Sequence, residues 1–326
     1  MSAAPGARRQ ATVRLPTVRL ATRGSPLALW QAHRVVELLA ASGVAAEPVV
    51  VDTEGDRHAD VPLAQLGGQG VFVKEVQSAV VRGDADASVH SAKDLPAADA
   101  LGVPGLVLAA FPERGDPRDV LIGARIDSLP TGAIVATGSA RRRVQLANLR
   151  PDLIFTDLRG NLATRLSRVG EDGIAAVIAA RAALDRLGWQ PPAGLEHETL
   201  EPAVMLPQVA QGALAIECRA DDEPTRRALS AIDDADVRVV VEAERAFLSE
   251  LGGGCTLPVG AHAVLEDPEV CGARLRLTGM LAGADGHVVL RREATGDDGD
   301  VLGRSVARYL LDDAGGIELG PWSPSS

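Results

Sequence analysis

The chain has 326 residues, 33 basic and 44 acidic side chains, a net charge of -11 and 46% apolar residues. This is globular composition with length for two or three domains, which excludes a disordered or fibrous chain. No stretch approaches the roughly 18 apolar residues of a membrane span, and an acidic total with eight aromatics argues against nucleic acid as a partner.

Residues 1–17 are rich in Arg, Ala and Pro, lack the apolar stretch of a secretory signal, and read as a disordered tail. A strand is expected over 18–21, followed by Ser25 as N-cap and Pro26 in the first turn of an amphipathic helix running to about residue 41. Residues 48–51 form the next predicted strand, 55–70 a long glycine-containing loop, and 72–82 a helix. A short buried strand over 87–90 ends in Ser91-Ala92-Lys93-Asp94-Leu95-Pro96, and strands over 106–111 and 120–122 complete a first α/β unit.

A second unit repeats this grammar. The strand 133–136 opens at Thr137-Gly138-Ser139 onto the helix beginning Ala140-Arg141-Arg142-Arg143. The strand 153–156 leads through Asp157-Leu158-Arg159-Gly160-Asn161 into another helix, and 174–179 leads into a helix over 181–187. Such alternation predicts parallel, doubly wound sheets, with ligands bound beyond the carboxyl ends of the strands. After Gln190-Pro191-Pro192, an apolar strand over 213–216 precedes a region of different character: a helix over 236–251, the loop Gly252-Gly253-Gly254-Cys255, strands over 259–264, 273–281 and 287–292, and a final helix near 301–311. That is the pattern of a separate small α+β domain.

The basic residues are unusual in kind and in place. Only Lys74 and Lys93 are lysine; the other 31 are arginine. Between Thr137 and Arg186 stand nine arginines against five acidic residues, a local charge of +4 in a chain of -11. Arg141, Arg142, Arg159, Arg165 and Arg186 follow strands, where guanidinium forks and helix N-termini favour an anionic ligand with several negative groups. Arg143 and Arg168 suit solvated helix faces. No Walker pattern or dinucleotide fingerprint is present. Lys93 and Asp94 place a cation beside a carboxylate at a strand's end, and a carboxylate there can stabilise a developing cation or shuttle a proton. Lys74 begins a helix behind the glycine-rich loop, as an anion contact across a mobile lid.

Three cysteines are too few and too scattered for a disulfide framework or zinc site, which fits a reducing compartment. Cys218 and Cys271 flank strands and are read as structural. Three glycines before Cys255 let the backbone approach a ligand closely and leave the thiol accessible, so Cys255 is the candidate for covalent attachment.

From about Val18 onward the chain resembles the porphobilinogen deaminase (hydroxymethylbilane synthase) family. The matching stretches are Ala21-Thr22-Arg23-Gly24-Ser25-Pro26-Leu27-Ala28, Phe72-Val73-Lys74-Glu75, Val89-His90-Ser91-Ala92-Lys93-Asp94-Leu95-Pro96 and Asp116-Pro117-Arg118-Asp119. They continue with Leu158-Arg159-Gly160-Asn161, Gln211-Gly212-Ala213 through Glu217-Cys218-Arg219, and Glu244-Arg245 through Gly254-Cys255. Each is weak alone; seven in order are specific.

The resemblance implies an α/β fold of two periplasmic-binding-protein-like, doubly wound lobes plus a small C-terminal α+β domain. Lobe 1 would comprise 18–114 plus 207–230, lobe 2 residues 115–206, and the cofactor-carrying domain 231–326. It implies a transferase that joins four porphobilinogens head to tail, each losing ammonia, onto a dipyrromethane cofactor held by thioether to Cys255, with hydrolytic release of the linear tetrapyrrole. Each pyrrole carries an acetate and a propionate, which is the polyanionic character the arginine cluster suggests. By resemblance, Asp94 stabilises the cationic azafulvenium left by deamination. Ser91, Lys93, Thr137, Ser139, Arg141 and Arg142 would hold the cofactor, and Arg23, Ser25, Lys74, Arg159, Arg165 and Arg186 would bind substrate. A cytoplasmic monomer is implied, with transient hand-over to the next enzyme of tetrapyrrole (haem) biosynthesis and no metal, nucleic acid or membrane partner.

The chain departs from the family pattern in three places. Gln69 replaces a basic loop residue, Gly138 replaces a hydroxyl residue, and Leu257 stands where a β-branched residue is common. The main alternative is a non-catalytic bilobal polycarboxylate-binding protein, which needs neither the third domain nor the cysteine loop. A ligand-sensing transcription factor would need a helix-turn-helix module that residues 1–17 cannot hold.

Overall fold

Residues 17–53, 73–96, 103–252, 257–267, 274–320 and 322 are described in the computed structural model. Residues 1–16, the predicted 55–70 loop with Gln69, Cys255 and Cys271 lie outside them. The first lobe is built from β1 (Val18–Arg23), α1 (Pro26–Ala41), β2 (Ala46–Val51), α2 (Lys74–Arg82), β3 (Ala87–Ser91) and β4 (Leu106–Ala110). Ser25 caps α1 by accepting from the Ala28 amide, and Pro26 takes the first turn, where its missing N–H costs nothing. Ala28, Gln31, Ala32, Val35 and Leu39 line the buried face of α1 at helical spacing. Central β3 is covered on both faces, so Ala87 through His90 are all buried.

The second lobe follows the same order with β5 (Asp119–Ile122), β6 (Ile134–Ala136), α3 (Ala140–Leu149), β7 (Ile154–Thr156), α4 (Leu162–Ser167), β8 (Ile174–Ala180), α5 (Arg181–Arg186) and β9 (His197–Leu200). The chain then returns to the first lobe as β10 (Leu214–Arg219) and α6 (Glu223–Ser230). The sheet orders are β2-β1-β3-β10-β4 and β7-β6-β8-β5-β9.

Neither sheet is the all-parallel one expected from the alternation. β10 runs antiparallel to β3 and β4, and β5 runs antiparallel to β8 and β9. The reason is topological: β5 and β10 are the strands by which the chain crosses between lobes, so each enters its sheet from the cleft end. The remaining strands of both sheets therefore direct their carboxyl ends, among them Arg23, Ser91, Ala136 and Thr156, toward the cleft. β9 and α6 were not expected from the sequence.

The crossing segments pair with each other. Arg114 bridges Ala213, the Gly115 amide donates to the Gly212 carbonyl over 3.0 Å, and the Leu214 amide donates to the Glu113 carbonyl over 3.3 Å. Gly212 has φ of +90°, and a Cβ there would lie 2.4 Å from the Gly115 carbonyl oxygen, so this close approach requires glycine.

The third domain comprises α7 (Ala235–Glu250), β11 (Val259–Leu265), β12 (Leu275–Ala282), β13 (Val289–Gly296) and α8 (Gly299–Arg308), with an antiparallel sheet in sequence order. Its core extends into the first lobe. Val241, Phe247, Leu251 and Leu281 share one apolar cluster with Ala92, Leu95, Phe111 and Val209. Ala92 and Leu95 flank Lys93 and Asp94, so the burial of two apolar residues pins the turn that carries two charged ones.

Candidate active site

A single 3-10 turn, Ala92–Asp94, follows β3. The Ala92 amide donates to the Ala213 carbonyl at 3.0 Å and the Leu95 amide to the Ala92 carbonyl at 3.3 Å, which closes the turn against β10. Asp94 is exposed at its tip. Ser91, at the end of β3, accepts from Gln31 Nε2 at 2.8 Å, so Gln31 on α1 also reaches the cleft edge.

Across the cleft, Ser139 caps α3 by accepting from the Arg142 amide, and its own amide donates to Thr137 Oγ1 at 3.2 Å. Arg141 and Arg142 therefore leave the first turn of α3 side by side. Their position after a strand led to an expectation of forks turned toward an anionic ligand, but much of each guanidinium is taken up within the protein. Arg141 Nη2 and Arg142 Nη2 donate to the two oxygens of Asp119 at 2.7 and 2.8 Å, and their Nη1 atoms donate to the Leu206 and Ile178 carbonyls. Burial would raise the Asp119 carboxyl, but Arg141 and Arg142 hold it well below the usual carboxylate range. The Nε atoms of both arginines are buried and find no partner among the described residues.

Lys93 faces this group. Its ammonium donates to Gln211 Oε1 at 3.3 Å, and Gln211 Nε2 donates to Asp119 Oδ1 at 2.9 Å and to the Pro117 carbonyl at 2.7 Å. Burial pushes the Lys93 ammonium down to about 8; Asp94 and Asp119 oppose that fall, while Arg142 and Arg141 add to it. Arg165 anchors itself through Nε to the Gly160 carbonyl at 2.8 Å. Burial and then the Arg142 and Arg159 charges make it less basic than usual, with Asp94 opposing. Lys93, Asp94, Arg141, Arg142, Arg159 and Arg165 thus form one electrostatic group spanning both lobes.

Other expected site residues lie apart from that group. Arg186 Nη2 donates to the Gly212 carbonyl at 2.6 Å, and its guanidinium carbon sits 5.5 Å over the Trp30 ring, tying α5 of one lobe to α1 of the other. Arg23 ends β1, Ser25 caps α1, and Lys74 is exposed at the start of α2. Arg143 and Arg168 make exposed ion pairs with Asp157 and Asp172, which matches solvated helix faces. Cys218 is buried in β10, and burial pushes its thiol up to about 11, as suits packing rather than chemistry.

The third domain closes the site. A narrow cavity is lined by Lys93 from lobe 1, Ser139 and Arg141 from lobe 2, Val209 from the crossing segment, and Leu248 and Leu257 from the third domain. Leu257 also packs against the shared apolar core. At Gly138 a Cβ would lie 3.0 Å from the Leu158 carbonyl oxygen, so the backbone passes close to β7's outgoing loop. Glu244 on α7 fixes this junction. It accepts both Nη atoms of Arg114 at 2.8 and 3.1 Å and the amides of Ala210 and Ala263.

Asp119, Gln211, Gln31 and Glu244 were not among the candidate site residues, although Asp119, Gln211 and Glu244 stand in the matching stretches. Asp119 carried a signal, as a carboxylate heading a strand whose other residues are all apolar. Among the described residues no group of acidic, His or Cys side chains could hold a metal ion, and no helix is long and apolar enough to cross a membrane. The donors present fit an organic polyanion: Arg141, Lys93 and the N-cap Ser139 line the same cavity, and the buried Nε–H groups of Arg141 and its neighbour Arg142 have no partner among the described residues.

Comparison with known proteins gives the same direction. Residues 18–227 match the family description "Porphobilinogen deaminase, dipyromethane cofactor binding domain", and residues 239–312 match "Porphobilinogen deaminase, C-terminal domain". A porphobilinogen deaminase of Acidothermus cellulolyticus is 45% identical over 91% of this chain and 89% of its own length. Those of Syntrophobacter fumaroxidans and Brevibacillus brevis are 43% and 42% identical, over 90% and 92% of this chain and 94% and 96% of theirs. Among solved structures, the methionine-binding protein MetQ is 14% identical over 68% of this chain and 92% of its own, with a TM-score of 0.40.

Proposed function

The chain belongs to the porphobilinogen deaminase family, and on that premise we propose how its cleft carries out hydroxymethylbilane synthesis. The protein is a transferase of tetrapyrrole biosynthesis that uses a dipyrromethane cofactor. When bound, that cofactor supplies the pyrrole carbon to which the first porphobilinogen is joined. Cys255 is its attachment point, through a thioether. The observation that carries this reading is the convergence of Lys93, Ser139 and Arg141 on Leu257, two residues beyond Cys255 in the chain.

The residues divide the work by charge. Lys93, Arg141 and Arg142 hold cofactor carboxylates, with Ser91, Thr137 and Ser139 as hydroxyl partners. The unpartnered Nε–H groups of Arg141 and Arg142 suit this role, because their Nη atoms are already committed to Asp119. Arg23, Ser25, Lys74, Arg159, Arg165 and Arg186 take the carboxylates of substrate and growing chain. Asp94 faces the reacting pyrrole. As the bond from the aminomethyl carbon to nitrogen breaks and ammonia leaves, Asp94 balances the positive charge left on the substrate ring. After the carbon–carbon bond forms, the same carboxylate accepts the proton lost from the ring carbon. The enzyme works as a cytoplasmic monomer and passes its product to the next enzyme of the pathway. A purely binding role is not favoured, because both domain matches and the full-length relatives are those of a deaminase.

Incubation with porphobilinogen tests the reaction. The expected result is one ammonia released per porphobilinogen consumed and a linear tetrapyrrole as the first product by mass. Tight binding of porphobilinogen without ammonia release would overturn the reading in favour of a binding protein.

A further inference from the structure

We propose that Gln211 is a positioning residue for the reaction at this cleft: its amide bridges the Lys93 ammonium of the first lobe to the Asp119 carboxylate of the second and so holds the ammonium where ligand carboxylates arrive. The inference deepens the proposed function and rests on it for the identity of the ligand.

The geometry leaves the amide one orientation. Its nitrogen donates to two acceptors, the Pro117 carbonyl at 2.7 Å and Asp119 Oδ1 at 2.9 Å. Its oxygen is thereby turned toward Lys93 Nζ at 3.3 Å. A flipped amide would set its oxygen against a carboxylate and its N–H groups against an ammonium. An amide can accept from a cation and donate to an anion at the same time. A carboxylate at this position could not donate to Asp119, and an apolar side chain could do neither.

The backbone is built to present that amide. Gln211 is fully buried between two residues of positive φ, Ala210 at 58° and Gly212 at 90°. A non-glycine residue in this region is strained, and such strain persists where the surroundings over-determine it. Here they do. Arg114 Nε donates to the Gln211 carbonyl at 3.1 Å, Arg186 Nη2 donates to the Gly212 carbonyl at 2.6 Å, and Glu244 accepts the Ala210 amide at 2.7 Å. Three charged side chains, one from each domain or crossing segment, therefore hold one short turn. The charged groups that bear on Lys93 are Asp94 beside it and Asp119, Arg141 and Arg142 from the opposite lobe. Three of these four come from the lobe that Gln211 ties to Lys93.

The composition of the chain makes the test direct, because only two lysines exist. The purified protein, cofactor included, is labelled with lysine carrying 13C at Cε and titrated by NMR. Two resonances are expected, assigned with Lys74→Arg. Gln211→Leu removes an acceptor from an enclosed ammonium, so the Lys93 midpoint is expected to fall by about one pH unit, the scale of one hydrogen bond to a charged group. Gln211→Glu places a second negative charge there, so the midpoint is expected to rise. The Lys74 resonance should titrate identically in all three proteins. In turnover, kcat should fall and its alkaline limb should move with Lys93, down in the Leu variant and up in the Glu variant.

A merely structural role gives a different pattern, since loosening the turn lets water reach Lys93 and raises its midpoint in both variants. That common rise, or an unmoved Lys93 in both, would overturn the proposal. If the Leu variant fails to fold, Gln211→Met, which keeps the side chain's length and removes the amide, takes its place, with a fixed or raised midpoint counting against the proposal. Absence of ammonia release by the unsubstituted protein would instead overturn the reaction, and the lysine titration would still judge the strut.

Discussion

Asp94→Asn is expected to fold normally, carry its cofactor and lose nearly all turnover, by about two to three orders of magnitude or more. The fold should survive because Asp94 is exposed at the tip of its turn, while Ala92 and Leu95 on either side supply the buried anchors. Asparagine keeps the shape and removes the charge. Among the described residues, that charge has no substitute nearby. Arg141, Arg142, Arg159, Arg165 and Lys93 are cations, and the Asp119 carboxylate is saturated by Arg141, Arg142 and Gln211. A cation developing on the substrate ring would then face a cleft with the wrong sign. The loss should appear in kcat with little change in KM, since substrate carboxylates are held by other residues. Steady-state kinetics checks this, and turnover within a few-fold of the unsubstituted protein would remove Asp94 from the mechanism.

The second large effect is on stability. Asp119→Ala should cost about 3–5 kcal/mol, because it leaves two buried guanidiniums without their shared counter-charge. The melting temperature should fall by roughly 10 °C. Asp119 is completely buried, so water cannot replace the lost partner without opening the second lobe. The pH dependence follows from sign. The folded-state carboxyl is held below its unfolded value, so the stabilisation is fully present above the unfolded pKa and is lost as pH falls through the folded one. The gap between the two proteins should therefore be flat from about pH 5 to pH 8 and should narrow only in stronger acid. Thermal melts across that range test it; an unchanged melting temperature would show that the arginine pair does not depend on Asp119.

How far these features were legible in the sequence depends on how local their causes are. The Ser25 cap, the Ser139 cap and the turn from Ser91 to Pro96 were readable, because each is a short pattern whose chemistry closes on itself. Strand positions were readable to within a few residues for the same reason. Strand direction was not. Nothing within Leu214–Arg219 states that it will run antiparallel to β3, since its direction is set by the chain's return from the other lobe. β9 was missed because His197-Glu198-Thr199-Leu200 is a polar edge strand with one buried residue. The arginine cluster was legible as a concentration of charge, and its placement after strands was sound. What could not be read was that Asp119, on a strand more than twenty residues earlier, would take the Nη atoms of both Arg141 and Arg142. Similarly, Gln211 and Glu244 stood in recognisable stretches, but their partners come from other domains. The two lysines are now distinct in kind: Lys74 is exposed at the start of a helix, and Lys93 is enclosed at the junction of three domains.

The central claim is that this junction holds a two-pyrrole cofactor covalently on Cys255. Intact-mass measurement of the protein, produced in cells competent in tetrapyrrole synthesis, tests it most directly. The expected result is a chain heavier by two pyrrole units, with the added mass absent from Cys255→Ser. An unmodified chain mass, or an adduct that persists in Cys255→Ser, would contradict the account.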